Sequence, residues 1–469
     1  MKFTQMPYER VDFDKVKAEF AELEAGLDKA TSGQEQMEVH RRYYELIGHV
    51  MTQMTLAEIR HDIDTTDEFY SAEQDFYDQN GPVFRNLCVS YQKKLYHSPY
   101  RAYLEERIGK VAFKNIELGM KSVDDKILPL MQEENAIQTE YNKLLATAKI
   151  AWRGETLNLS LMNPYLHSSD RGIRAEAWKK YTAFFEENQE QLDDIYDRLV
   201  KNRTKQGEAM GYENYLPLGD ARMMRNCYDR SDMGEFRKQV KRDFVPFAEK
   251  LHERRRQRLG IDHLLYIDEG VYFPQGNPAP IGTPEEILQA GQKMYRELSK
   301  ETGEFMDFMR ENELFDVLGR KTKKTGGYMT YLPDFGAPFI FANFNGTSGD
   351  ADVITHECGH AFQWYVVKDD PIREHWDITM ETAETHSMSM EFFTEPWMNL
   401  LFGSRAKDYV DMHFEDSMAF IPYGTMVDEF QEIAYQNPGL TPAQRNGVWR
   451  DLERQYKPHL DYTGNAYYE

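Results

Sequence analysis

The stretch Asp350-Ala-Asp-Val-Ile-Thr-His-Glu-Cys-Gly-His-Ala-Phe-Gln363 carries the strongest structural signal in the chain. The loop before it, Asn345–Asp350, is rich in residues that cap helices, and Pro371 follows it closely. These boundaries predict one helix from about Asp350 to Lys368. The stretch contains the pattern H-E-x-x-H, which is typical of metal-dependent hydrolases when it lies on a helix.

The spacing of this pattern has a mechanical reason. Residues i and i+4 lie one above the other on a helix face, so the imidazoles of His356 and His360 can reach the same ion. Glu357 lies about 100° further round the helix, where it can act as a general base without being a ligand. Two histidines and one carboxylate suit zinc, which keeps a further position open for water. We therefore predict one Zn²⁺ per chain.

The third ligand is expected from the segment that follows the motif, where a second helix is predicted from about Ile378 to Leu401. Several glutamates on this helix share one face, because they recur at three- and four-residue steps. A helix that returns antiparallel to the first could offer any of them, and the others could orient the histidines. The spacing leaves the choice open among Glu374, Glu381, Glu384 and Glu391, and His386 is a weaker alternative.

A small sheet is predicted just before the motif. The amino-acid composition changes after Gly326-Gly327. Tyr328–Leu332 and Pro338–Phe344 are aromatic and rich in strand-forming residues. Pro333-Asp334 marks a turn between them. The two segments are therefore expected to form strands close to the metal-binding helix.

Most of the remaining chain reads as helix. Helices are predicted in four early segments and in two later ones. In these segments, apolar residues recur at helical spacing or residues with high helix propensity dominate. A capping box, with Thr283 at the N-cap, Pro284 at N1 and Glu286 at N3, starts the last of these helices. Alternating leucines instead predict a strand over Glu155–Met162, paired with Ile150–Trp152. The predicted helices cover 12–29, 34–61, 100–121, 124–150, a segment that begins near Asp170, and a segment from Thr283 to about Glu311.

Bulk properties narrow the function classes. The chain has 469 residues and a formal net charge of -23. Because a surface this acidic repels nucleic-acid phosphates and anionic lipid heads, neither nucleic acid nor an anionic membrane is expected as a partner. The first 20 residues lack the apolar core of a secretion signal, and three widely spaced cysteines indicate a reducing compartment. A cytoplasmic location is expected, while the sequence is silent on oligomeric state.

Several motifs together resemble one known family. The opening stretch, followed by Glu384-Thr-His-Ser-Met-Ser-Met-Glu391, is similar to the M3 zinc oligopeptidases, most of all the bacterial branch of oligoendopeptidase F and the Pz-peptidases. The likeness is dense from about residue 320 onward and diffuse before it. Further matching stretches are Gly326–Pro333, Ala337–Gly349 and Phe420–Gln431.

The resemblance implies that Glu384 is the third zinc ligand, beside His356 and His360, with Glu357 as the catalytic base. It also implies a mainly helical, two-lobed zinc-peptidase fold with a small β-sheet near the active site and a deep substrate channel. A narrow channel would admit only short unfolded peptides and so define a zinc-dependent oligoendopeptidase. The expected parts are an N-terminal helical lobe, 1–205, and a catalytic domain, 206–469. Pro338–Phe344 would be the sheet edge on which a peptide lies.

One departure from the family pattern stands at the end of the sequence. Members usually continue beyond the point that corresponds to Tyr467-Tyr468-Glu469, and the continuation carries tyrosines that hydrogen-bond the oxyanion. We expect this chain to lack that C-terminal segment, and the role is not transferred to Tyr467 or Tyr468. Loss of one oxyanion donor typically lowers the rate by about 10²–10³.

Two other functions remain open at this stage. One is a helical zinc carboxypeptidase, which also carries H-E-x-G-H but needs an arginine for the free carboxylate of its substrate. The other is a catalytically weakened, peptide-binding fragment of the oligopeptidase family. Cys358, beside the expected base, is either a reactive thiol or a small buried residue, and the second interpretation is favoured.

Overall fold

The computed structural model describes residues 1–468. Helices account for 71% of the chain, and the only sheets within the described residues are two small ones. The predicted mainly helical class is therefore confirmed. Long segments with few glycines and prolines form these helices, because their apolar stripes can be buried only against one another.

The first helices pack around one core, which includes Phe20, Tyr91 and Leu104. The single helix predicted over 100–121 is wrong in one detail, since two helices meet at Gly109, whose φ of 108° no helix accommodates. The first six helices are α1 (Phe13–Lys29), α2 (Gly33–Ile63), α3 (Glu68–Tyr96), α4 (Arg101–Ile108), α5 (Lys110–Met120) and α6 (Leu128–Ala146).

A short antiparallel hairpin follows, formed by β1 (Ile150–Trp152) and β2 (Glu155–Leu157). The hairpin was predicted, but its second strand ends five residues earlier than expected. The Asn158 side chain accepts a hydrogen bond from the backbone N–H of Leu161 and caps the helix α7 (Leu159–Leu166). A side chain that satisfies a free helical N–H favours helix over strand at this point.

The middle of the chain is again helical. Thr283 and Glu286 form the predicted capping box, but the helix it starts ends at Leu298, because Ser299 caps a new helix through the backbone N–H of Thr302. The helices here are α8 (Arg171–Glu187), α9 (Gln189–Ala209), α10 (Leu216–Arg222), α11 (Arg230–Gln239), α12 (Val245–Leu259), α13 (Pro284–Leu298) and α14 (Lys300–Glu311).

The second sheet has three strands, β3 (Phe315–Leu318), β4 (Tyr328–Leu332) and β5 (Ala337–Phe344), in the order β3-β5-β4. Strand β5 pairs with β3 in parallel and with β4 in antiparallel register. The expectation that Pro338–Phe344 offers a free edge is therefore wrong. Both sides of β5 are already hydrogen-bonded and nearly all its residues are buried, whereas β4 is an outer strand.

The last part of the chain surrounds this sheet. Its helices are α15 (Gly349–Asp352), α16 (Cys358–Val367), α17 (Met380–Thr394), α18 (Met398–Phe402), α19 (Ala406–Gln436) and α20 (Pro442–Tyr456). One large core joins the sheet to the flanking helices and contains Phe339, Phe341, Ile354, Cys358 and Ala361. The helix predicted from Ile378 to Leu401 is interrupted after Thr394 by a 3₁₀ turn, Glu395–Trp397.

No helix within residues 1–468 is long and apolar enough to cross a membrane. The three cysteines are unpaired thiols, with Cys358 buried, Cys88 partly buried and Cys227 exposed. Burial raises the pKa of the Cys358 thiol far above its ordinary value. Together, burial and the raised pKa bear out the interpretation of Cys358 as a small core residue.

Candidate metal centre

The predicted motif lies on a helix, but the helix is not regular. Val353–Glu357 forms a π-helical turn between α15 and α16, so His356 and Glu357 stand in a wider turn than His360. Single π turns inside helices occur frequently at functional sites. The rings of His356 and His360 still face one region, with their centroids 4.9 Å apart and their planes nearly perpendicular.

Gly359 lets the second helix of the site approach closely. A Cβ atom at this position would lie 2.7 Å from the Cα of Ser387 and 3.0 Å from the carbonyl oxygen of His386, both on α17. Real Cβ atoms essentially never come so near to another backbone atom. The glycine of the motif therefore fixes how near α17, with its glutamates, can come to the two histidines.

Three of the predicted ligands converge. The Nε2 atom of His356 lies 3.2 Å from the Oε2 atom of Glu384, and the Nε2 atom of His360 lies 3.7 Å from the same oxygen. One donor atom from each of the three residues lies within 4.8 Å of the other two. Two imidazole nitrogens and a carboxylate oxygen fit a zinc ion with one position left open.

Glu391 lies behind the first histidine. Its Oε1 atom accepts a hydrogen bond from Nδ1 of His356, and its Oε2 atom accepts one from Nε2 of His413 on α19. Because the Nδ1 atom of His356 donates to a carboxylate, the neutral form of this imidazole carries its lone pair on Nε2, the nitrogen that faces Glu384. The hydrogen bond thus selects the tautomer that a metal ligand requires.

The electrostatics of the site favour a cation. Burial lowers the pKa of His356, but its hydrogen bonds to Glu384 and Glu391 outweigh burial and raise the pKa to about 10. The hydrogen bond from His356 is also the main reason why the pKa of Glu384 is lowered. Both shifts express an excess of negative charge around the imidazole, which a divalent ion would neutralise.

Glu357 is partly buried and does not belong to the three donors. Burial raises the pKa of its carboxyl group, whereas the charge of His356 lowers it, as does a hydrogen bond from the backbone of Met329 on β4. A carboxylate that is desolvated, yet held by a backbone N–H, is a stronger base than one in water. Its position beside the donors and beside an outer strand suits proton transfer at a bound peptide.

The other candidates for the third ligand lie elsewhere. Glu374 accepts hydrogen bonds from His40 and Tyr44 on α2, and Glu381 accepts one from Tyr228. His386 does not belong to the donor cluster, and its Nδ1 atom is buried without a hydrogen-bond partner in residues 1–468. Of the four glutamates, the structure brings only Glu384 to both histidines.

The role of α19 in this site was not predicted from the sequence. His413 contacts Glu391, and Tyr409 donates a 2.6 Å hydrogen bond to Asp352 on the motif helix. Both residues are more than 45 positions beyond the motif and carry no local pattern. The only available signal was their spacing of four residues, which places them on one face of a helix.

A cavity of about 660 Å³ borders the site. Asp352, Tyr409 and His413 line one wall, together with the loop at 346–349, and Arg255 and Tyr272 line another. The three donor residues are absent from this described lining. The cavity therefore adjoins the residues that support the metal ligands rather than the ligands themselves.

Two family models match the chain. A peptidase M3 N-terminal domain matches residues 3–123, and peptidase family M3 matches residues 299–469. The second match contains the motif helix, α17 and α19. Among curated protein sequences, no match was found.

Solved structures are similar over the whole chain. Pz peptidase A with inhibitor 2 is 45% identical with a TM-score of 0.98, and the alignment covers 99% of this chain and 83% of that chain. A provisionally assigned oligoendopeptidase F is also 45% identical with a TM-score of 0.98, covering 100% and 83%. Another, from Bacillus anthracis str. Ames, is 42% identical with a TM-score of 0.96, covering 98% and 84%.

Proposed function

This chain belongs to peptidase family M3 and is a metalloendopeptidase, and on that premise we propose that it cleaves internal bonds of short, unfolded peptides with one bound Zn²⁺. The convergence of His356, His360 and Glu384 carries the proposal, because two imidazole nitrogens and one carboxylate oxygen are the donor set of a zinc site that keeps one position open. Membership of the family supports peptides as the substrate class. A reducing, cytoplasmic location is proposed with it, supported by the three unpaired cysteines.

The proposed roles follow from position and charge. His356, His360 and Glu384 would hold the zinc ion, which when bound supplies Lewis acidity that acidifies water and polarises a carbonyl. Glu357 takes the proton of the attacking water, because its carboxylate is desolvated and is not one of the three donors. It then gives this proton to the nitrogen of the leaving amine, so that the carboxylate is restored.

The outer edge of β4 is the proposed support for the peptide. The backbone of Met329 faces Glu357, and in an antiparallel strand the next residue with the same direction is Tyr331. Tyr331 stands opposite Pro338, which has no N–H to donate, so the backbone N–H and C=O groups of Tyr331 would face away from β5. A peptide that adds to this edge would lie beside the general base.

A direct test measures zinc content and peptide hydrolysis together. Glu357→Gln keeps the size of the side chain and removes its basicity, so we expect one zinc per chain in both proteins and a loss of turnover only in the variant. Elemental analysis and a quenched-fluorescent peptide assay give the two readouts. Zinc in both proteins with equal turnover would disprove the role of Glu357, and absence of zinc from the parent protein would disprove the metal site.

The mode of cleavage needs a separate experiment. An endopeptidase cuts a peptide whose C-terminus is amidated as readily as one with a free carboxylate, whereas a carboxypeptidase cuts only the second. Product masses from a matched pair of such peptides distinguish the two activities. Release of single C-terminal residues from the free peptide alone would replace the proposal by a carboxypeptidase.

A further inference from the structure

Helix α19 holds two parts of the metal centre at once. Tyr409 and His413 are one turn apart on this helix, and both are largely buried. The hydroxyl group of Tyr409 donates to Oδ1 of Asp352, which is one turn before His356 on the motif helix. The Nε2 atom of His413 donates to Glu391 on α17. One face of α19 therefore fastens the two helices that carry the proposed ligands.

Glu391 links His413 on α19 to His356 on the motif helix. Its side chain is 11% exposed, and its two oxygens are each engaged by a different imidazole, Nδ1 of His356 and Nε2 of His413. A carboxylate held at one oxygen only could rotate about its terminal bond, whereas one held at both oxygens keeps its plane. The orientation of His356 thus depends on His413, which contacts Glu391 and is not one of the three donor residues.

We propose that His413 is a positioning residue of the metal centre, which acts through Glu391 to orient His356 and so raises the affinity for zinc. The proposal rests on the metal site put forward above. Partners of this kind contribute to metal binding because they fix the ligand before the ion arrives, and their loss typically weakens binding about 10–100-fold.

The matched substitutions are His413→Gln and His413→Met. The two side chains are similar in length and volume, but only glutamine has an N–H group that can donate to Glu391. Zinc affinity is measured by competition with a chromogenic chelator on the full chain. We expect the methionine variant to bind zinc about 10–100-fold more weakly and the glutamine variant to stay within a few-fold of the parent protein. His413→Phe replaces the methionine variant if that protein does not fold.

His252→Ala is the control, since it removes another buried imidazole that has no contact with Glu391. Its zinc affinity should equal that of the parent protein. The visible spectrum of the Co²⁺-loaded proteins gives a second readout, because it reports ligand geometry and should change only in the methionine variant. Equal affinities for the glutamine and methionine variants, or an equal loss in the control, would overturn the proposal. A parent protein that binds no zinc would instead overturn the proposed function on which it rests.

Discussion

Residues 1–468 contain two clusters of two histidines and one glutamate, and only one of them suits a metal ion. His356, His360 and Glu384 form the first, and His252, Glu269 and His459 form the second. In both, one possible ligand atom from each residue lies within 4.8 Å of the others. Proximity of histidines and a carboxylate therefore does not distinguish them.

The clusters differ in the side chains that contact the glutamate carboxylate. In the second cluster, the Nζ atom of Lys457 lies 2.7 Å from Oε1 of Glu269, the same oxygen that is 3.2 Å from Nε2 of His459. In the first, Glu384 is contacted by the two histidines and by the hydroxyl group of Ser387 at 3.0 Å. A permanent cation already neutralises the second carboxylate, whereas the first is left for an ion.

The orientation and charge of the imidazoles differ as well. The rings of His252 and His459 are stacked with centroids 3.4 Å apart, whereas those of His356 and His360 are nearly perpendicular. Burial, together with His459 and Arg255, lowers the pKa of His252 to about 2, while that of His356 is raised to about 10. The pKa of His356 is thus raised by its two carboxylate partners, whereas burial dominates at His252 and also lowers the pKa of His360 in the first cluster.

The largest expected effect separates the two clusters by metal content. His356→Ala should lower bound zinc from one per chain towards zero and reduce kcat/KM by about 10³ or more, because the Lewis acid contributes several kcal/mol to the barrier. His459→Ala should leave both quantities unchanged. Elemental analysis and the peptide assay check both variants, and loss of zinc from the His459 variant would contradict the comparison.

A second, smaller effect concerns the glycine that brings α17 to the first cluster. Gly359→Ala should lower the free energy of unfolding by about 1–3 kcal/mol and weaken zinc binding, because the new methyl group pushes Ser387 and Glu384 away. Chemical denaturation and chelator competition measure these changes. Gly447→Ala on α20 is the matched control, since a Cβ there meets no atom within 4 Å. It should stabilise the protein by about 0.5–1 kcal/mol, and a similar gain at Gly359 would contradict the close approach.

A third effect is a pH dependence that belongs to the second cluster. His252 has a pKa near 6.5 in the unfolded chain and about 2 in the fold, mainly because of burial. Below pH 6.5 the unfolded state binds a proton that the folded state does not, so stability falls as the pH is lowered towards 2. At pH 5 this costs about 2 kcal/mol. Urea unfolding at pH 7 and pH 5 should therefore show a smaller loss for His252→Gln than for the parent protein, and parallel losses would contradict it.

Sequence patterns were reliable where the decisive contacts are local. The i, i+4 spacing identified the motif helix, and the capping box at Thr283 and the β4–β5 strands were found because their signals lie within a few residues. Errors arose where two local signals competed. Leu157, Leu159 and Leu161 imitate a strand, but Leu159, Met162 and Leu166 also recur at helical steps, and the cap at Asn158 decided for helix.

Spacing could not choose the third ligand, because three glutamates on α17 share the face that carries Glu384. Resemblance to the family selected Glu384, and the structure shows why its neighbours serve otherwise. Glu381 accepts a hydrogen bond from Tyr228. Glu391 lies between His356 and His413 and is hydrogen-bonded to both. These assignments depend on which helix packs against which, and a periodic pattern along one helix does not contain that information.

The sequence alone determined that two imidazoles and a base would share one helix. In an α-helix, the number of residues between two side chains fixes the faces on which they lie, independently of the rest of the chain. Only the tertiary structure decided that β5 is the buried central strand and β4 an outer one, that Glu384 completes the donor set, and that α19 supports it. It also decided that Lys457 neutralises the second cluster. These outcomes depend on contacts between residues far apart in the chain, where charge and distance are set by packing rather than by sequence separation.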